Sequence, residues 1–349
     1  MSDDPDREIM SDDPGREIQT ANTMRERSGE SRIKIWLLLR LNRLLVTGLL
    51  TLTFFVAFMI WSVGLTPPLQ AKTPETGTIE TLFSTMIPVI VTGTTLVVTI
   101  NQLVLSQETG PLGDQRRRMA EAMDFRTYAG DLFGGVVPAD PATFLRKLVE
   151  ATERRAEALD RVAVEGDNDE FADQVTAFVD SLHGNAKEVE EQFEGAQFGT
   201  FDVLFAALNF NYSWKIFQVE RLTQEFDSSL TDSQRTALND LMTALSMFGP
   251  GREHIKTLYF QWELINLSQY ILYVATPAIL IAGGMLTFVD VATFGGTILS
   301  IPTITWVFGI AFSITLIPFF LFTAYILRIA TLAKRTLAIG PLILRESDR

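Results

Sequence analysis

The stretch Thr81 to Gln107, TLFSTMIPVIVTGTTLVVTINQLVLSQ, limits what this chain can become more than any other. It is long and apolar enough to cross a bilayer as a helix, and it carries no ionisable side chain. Its polar residues are ordered. Thr81, Thr85, Pro88, Thr92, Thr95, Thr99, Gln102 and Ser106 recur at spacings of four and three, so a helix gathers them into one stripe. Thr94, Asn101 and Glu108 repeat every seven residues and fall on the opposite side. Lipid offers such groups nothing, so the stripe wants other helices or water.

Three more segments are long and apolar enough to span: about 44–65, 264–289 and 301–327. The chain therefore reads as an all-α membrane protein with four transmembrane helices. A large helical domain, 108–251, lies between the second and third. Basic residues sit before the first span (Arg25, Arg27, Arg32, Lys34, Arg40, Arg43), after the second (Arg116, Arg117, Arg118), before the third (Arg252, Lys256) and after the fourth (Arg328, Lys334, Arg335). The two remaining links hold Lys72 alone. The positive-inside rule then expects a multi-pass protein of the cell membrane with both termini and the large domain in the cytoplasm.

The ends are of different character. Met1–Ile9 and Met10–Ile18 form a tandem repeat differing only at Asp6 and Gly15. Residues 1–31 are acidic and lack an apolar pattern, so disorder is expected, and Met10 could serve as a start. Residues 32–43 read as a basic, amphipathic lead-in on the membrane surface, and 328–349 as a basic cytoplasmic tail.

Within the middle domain, Asp140-Pro141 is an N-cap followed by a first-turn proline. It should start a helix running to about Ala163 with Leu145, Leu148, Leu159 and Val162 inward. A second, acidic helix is expected over about 170–194, where Glu190-Glu191 reads as a solvated face. Phe198–Phe226 is aromatic-rich but holds Asp202, Asn209, Lys215 and Glu220. It reads as the core helix of the domain or as a helix resting on the bilayer. Thr231-x-x-Gln234 is a capping box for a helix to about Phe248. Gly249-Pro250-Gly251 is expected to break the chain, with a long helix starting at Arg252 and continuing into the third span.

Net charge is −13 and is concentrated outside the spans, with Arg favoured over Lys. Such a surface suits a high-salt, halophile-like cytoplasm with an acidic proteome, or is simply acidic. It opposes nucleic-acid binding. With no Cys and only His183 and His254, thiolate chemistry is excluded and a His-based metal site is not expected. No phosphate loop, nucleophile elbow or metal-ligand spacing is present, so the chain reads as a non-enzyme without cofactors. No span has a charge between its ends, which counts against proton or sodium coupling.

Two readings of the stripe remain open. In the first, copies assemble around the second span, and Thr85, Thr92, Thr95, Thr99 and Gln102 line a wet path with Arg116, Arg117 and Arg118 at its inner mouth, although these arginines also read as topology determinants in contact with lipid headgroups. In the second, the stripe is a dry helix–helix interface in a non-transporting scaffold or sensor with a cytoplasmic protein partner. The third span carries a matching stripe, Asn266, Gln269, Tyr273, Thr276, Leu280, Gly283 and Thr287. The first and fourth carry sparser ones: Thr47, Thr51 and Ser62; Thr305, Gly309 and Ser313.

The topology resembles that of the bestrophin anion channels. Within the second span, Ile87-Pro88, Thr95-Leu-Val-Val-Thr99 and Asn101-Gln102 are similar to the bestrophin second helix in order and character. The resemblance implies a pentameric passive anion channel with the second span at the pore. No aromatic lies between Ile87 and Thr99, and basic rather than acidic residues follow the fourth span. The resemblance therefore implies neither the family's gate nor its calcium site here.

Overall fold

The computed structural model describes residues 41–64, 77–166, 168–196, 201–290 and 293–335. The tandem repeat, the lead-in before Leu41, Lys72 and the tail beyond Arg335 lie outside the described residues. The described chain is helical apart from turns and a two-residue β-hairpin. Helix α1 is Arg43–Gly64, α2 Thr78–Glu108, α3 Leu112–Phe133, α4 Pro141–Ala163 and α5 Asp169–Phe193. Helix α6 is Phe201–Asn209, α7 Tyr212–Glu225 and α8 Asp232–Phe288. The hairpin pairs β1 (Thr297–Ile298) with β2 (Ile301–Pro302), and α9 (Thr303–Thr315) and α10 (Ile317–Arg335) follow.

Helices α1, α2 and α8 are each long and apolar enough to cross a membrane. Helices α9 and α10 meet at a 42° bend and make a fourth crossing if the pair is one span. The bend falls at Leu316, two residues before Pro318, which cannot donate to the preceding turn. Phe83, Ile90 and Val97 of α2 are buried and cluster with Ala282 and Met285, with Ala275 and Ala278, and with Leu267 and Ile271 of α8. The rising and falling numbers make the two helices antiparallel. Gly309 of α9 lets α1 come close. A Cβ there would sit 3.2 Å from Met59 Sδ and Phe58 Cδ1.

The helical domain behaves as its caps and periodicity require. Asp140 accepts from the Thr143 backbone N–H at 2.8 Å, and α4 ends at Ala163. Leu145, Leu148 and Leu159 are fully buried and Val162 packs against the same core. Asn168 caps α5, and Thr231 and Gln234 form their capping box.

Two expectations are corrected. Helix α8 does not break at Gly249-Pro250-Gly251; it runs unbroken from the domain core to Phe288. The glycines are there for packing: a Cβ on Gly249 would lie 3.1 Å from Tyr212 Cε2, and one on Gly251 3.3 Å from Phe144 Cε1. Pro250 removes one backbone donor, and the surrounding contacts hold the helix across it. The aromatic stretch, in turn, is two helices with a corner at Phe210-Asn211. Fully buried Lys215 donates to Asn185 Oδ1 at 2.7 Å and sits 4.6 Å from the Phe210 ring centroid. Asn185 in turn donates to the Asn209 carbonyl at 3.0 Å, and the Asn209 amide to Gln192 Oε1 at 2.7 Å. Buried polar groups of this kind hold only one backbone arrangement.

Candidate functional site

Helix α2 has one packed face and one open face. Every member of its polar stripe is exposed: Thr81, Thr85, Pro88, Thr92, Thr95, Thr99, Gln102 and Ser106. The packed seam of Phe83, Ile90 and Val97 lies opposite. Three stripe hydroxyls donate to their own helix: Thr85 to the Thr81 carbonyl at 2.8 Å, Thr95 to Val91 at 2.8 Å and Thr99 to Thr95 at 2.9 Å. Each keeps its oxygen lone pairs free as an acceptor. On the seam side, Thr94 Oγ1 and Asn101 Oδ1 are buried with no hydrogen-bond partner.

The four polar stripes separate into two kinds. Gln269, Tyr273, Thr276, Leu280 and Thr287 of α8 are exposed, with Asn266 and Gly283 half-buried. Thr47, Ser62, Thr305 and Ser313 are buried between helices, and Thr47, Ser62 and Ser313 bond back to the carbonyls of Arg43, Met59 and Gly309. The sparse stripes are thus helix interfaces. Those on α2 and α8 are left facing outward.

At the end of the bundle nearest the domain the structure assembles a charged cluster that sequence inspection missed. Glu263 of α8 is fully buried and pairs with Arg43, the first residue of α1. Arg43 also donates to the Tyr259 hydroxyl at 3.2 Å and lies 5.2 Å from the Tyr325 ring centroid. Arg328 of α10, read from sequence as a topology signal, is buried and donates to the Leu41 carbonyl. The signal that could have revealed this was a lone carboxylate, Glu263, in a run with no other acid from Ile255 through Phe288. A buried charge is paired or it is not tolerated.

Arg116, Arg117 and Arg118 are exposed in the second turn of α3, which starts four residues beyond the end of α2. Being consecutive on a helix, they fan out about 100° apart. Arg117 is held by Asp114 at 3.2 Å.

The acidic surface holds one perturbed group. Glu190 is half-buried in the seam between α5 and α4, with one carboxylate oxygen buried and unpaired, so it is not the solvated face expected. Burial first, then the neighbouring carboxylates of Glu153 and Glu150, push it up to about 7, against the pull of Arg146 and of His183, which pairs with Glu153. Between its ordinary value of 4.5 and about 7 the folded chain holds a proton the unfolded chain has lost. Stability should therefore fall as pH rises through that window. Melting temperatures across pH 5 to 8 should slope downward, and Glu190→Gln should flatten the slope. An unchanged slope in that variant would assign the titration elsewhere. Among the described residues, no group of three or more His, Asp or Glu is placed to hold a metal ion.

No curated protein and no solved structure matches this sequence. A family model described as "Family of unknown function (DUF7972)" matches residues 10–349. With nearly its whole length matched, the chain belongs to that family.

Proposed function

We propose that the protein is a passive anion channel of the cell membrane, formed by several copies around α2. Thr85, Thr92, Thr95, Thr99 and Gln102 line the path, and Arg116, Arg117 and Arg118 raise the local anion concentration at its inner mouth. The observation that carries this reading is that all of these α2 residues are exposed on the face opposite the packed seam. The absence of ionisable groups from α2 between Glu80 and Glu108 suits conduction without coupling. The distribution of basic residues supports a cytoplasmic location for both termini and the helical domain. The resemblance of the second span to that of bestrophins points the same way. The protein acts without a cofactor and is not an enzyme.

A second reading has its own support. Because Thr85, Thr95 and Thr99 satisfy their donors within α2, the stripe also suits a dry interface in a non-transporting scaffold with a cytoplasmic protein partner. One experiment separates the two. The chain has no Cys, so Thr95→Cys introduces a single thiol. In the assembled protein a channel leaves that thiol reactive toward a charged, water-soluble reagent, and modification blocks flux. An unreactive thiol in folded, assembled protein overturns the channel reading.

A further inference from the structure

Helix α3 leaves most of its surface uncovered. From Leu112 to Asp124 every residue except the half-buried Asp114 is exposed, and only Ala129 and Leu132, near the other end, are buried. A helical segment this short is marginal in water unless something packs on it. Its residues are sorted by face. Leu112, Arg116, Met119 and Met123, spaced by four, three and four, share one stripe, on which Leu112 is 86 % and Met119 62 % exposed. The carboxylates Asp114, Glu121 and Asp124 point away from that stripe.

The position of α3 follows from its anchors. The antiparallel register of α2 on α8, with Val97 beside Leu267 and Ile271, carries the end of α2 to the level of Leu258. At its other end, Phe125 and Phe133 of α3 contact the Phe144 ring with centroids at 6.0 and 5.8 Å, and Phe144 lies against Gly251 of α8. The first turn of α3 therefore follows the end of α2 closely, just beyond the Glu263 layer, and its other end is anchored on the helical domain. It rests on α4 through Phe144 and through Arg155, which donates to the Leu132 carbonyl at 3.2 Å, with the Leu112–Met123 stripe on the side away from Phe125, Ala129 and Leu132.

We propose that α3 is an interfacial helix that binds anionic phospholipid in the leaflet where α2 ends. Leu112, Met119 and Met123 enter the boundary between headgroups and acyl chains, and Arg116 on the same stripe takes up lipid phosphate. Charge complementarity selects this occupant: arginine sits on the open stripe and the acids face away. The proposal rests on α2 crossing the bilayer; it gives Arg116 to lipid and leaves Arg117 and Arg118 for the inner mouth of a channel.

The test uses the full chain in single-copy nanodiscs of phosphatidylcholine, with or without about a third phosphatidylglycerol. Met123→Cys reports the stripe, and Val164→Cys, an exposed site at the far end of α4, sets the unprotected rate. The Met123→Cys thiol should react with a charged, water-soluble reagent about fivefold more slowly in the anionic discs, a factor matching one basic residue at a charged surface. Adding Arg116→Gln should abolish the difference. Equal rates in both lipids overturn the proposal. So does protection that appears only in discs holding several copies, since a second chain would then be the cover.

Discussion

Glu263→Ala should destabilise the protein by about 3–5 kcal/mol, the usual cost of leaving one member of a buried pair unmatched. The carboxylate is fully buried and is the partner of Arg43. Without it, Arg43 and Arg328 share the end of the bundle nearest the helical domain, with Tyr259 and Tyr325 beside the charge of the first. The pair joins α1 to α8, and Arg328 ties α10 to the start of α1 through the Leu41 carbonyl. Thermal unfolding in mild detergent would measure the loss. The double variant Arg43→Met, Glu263→Leu should recover much of it, because removing both charges together removes the desolvation cost along with the attraction. If the losses of the single variants simply add, the two residues are not coupled and the cluster is not a clamp.

Thr95→Trp should reduce chloride flux through liposomes to that of empty vesicles, while potassium flux stays low before and after the change. Thr95 lies near the middle of α2, and its side chain is exposed on the side away from α8. An indole there has no packed neighbour in its own protomer to displace, so the fold should survive, and melting temperature and oligomeric state would check that. Where several copies converge on an axis, the same indole enters the path once per copy. Flux that persists through Thr95→Trp in folded, assembled protein would remove α2 from any conduction path. Absence of flux for either ion in the unaltered protein would favour the scaffold reading.

Much of the local structure was legible from residue order. The Asp140 cap and the Thr231 box act within a turn, where helix geometry alone relates the residues. The same geometry placed the Thr stripe on one face. It could not say whether that face was packed, and the outcome differs among helices: buried Thr and Ser on α1 and α9, exposed Thr on α2. Gly249-Pro250-Gly251 misled because glycine near proline ordinarily marks a turn. Here the glycines make room for Tyr212 and Phe144, which arrive from distant parts of the chain.

By itself the sequence determined the helical class, the apolar segments long enough to cross a membrane and the grouping of polar residues on α2, because apolar length and a 3.6-residue period are properties of a single helix. The tertiary structure alone decided that Arg43 meets Glu263, that Lys215 is buried at a helix corner, that α8 joins the domain to the bundle without interruption and that most of α3 is left uncovered. Each depends on which surfaces meet through space. Arg43 and Tyr259 are 216 residues apart in the chain, and no local periodicity encodes a contact at that range.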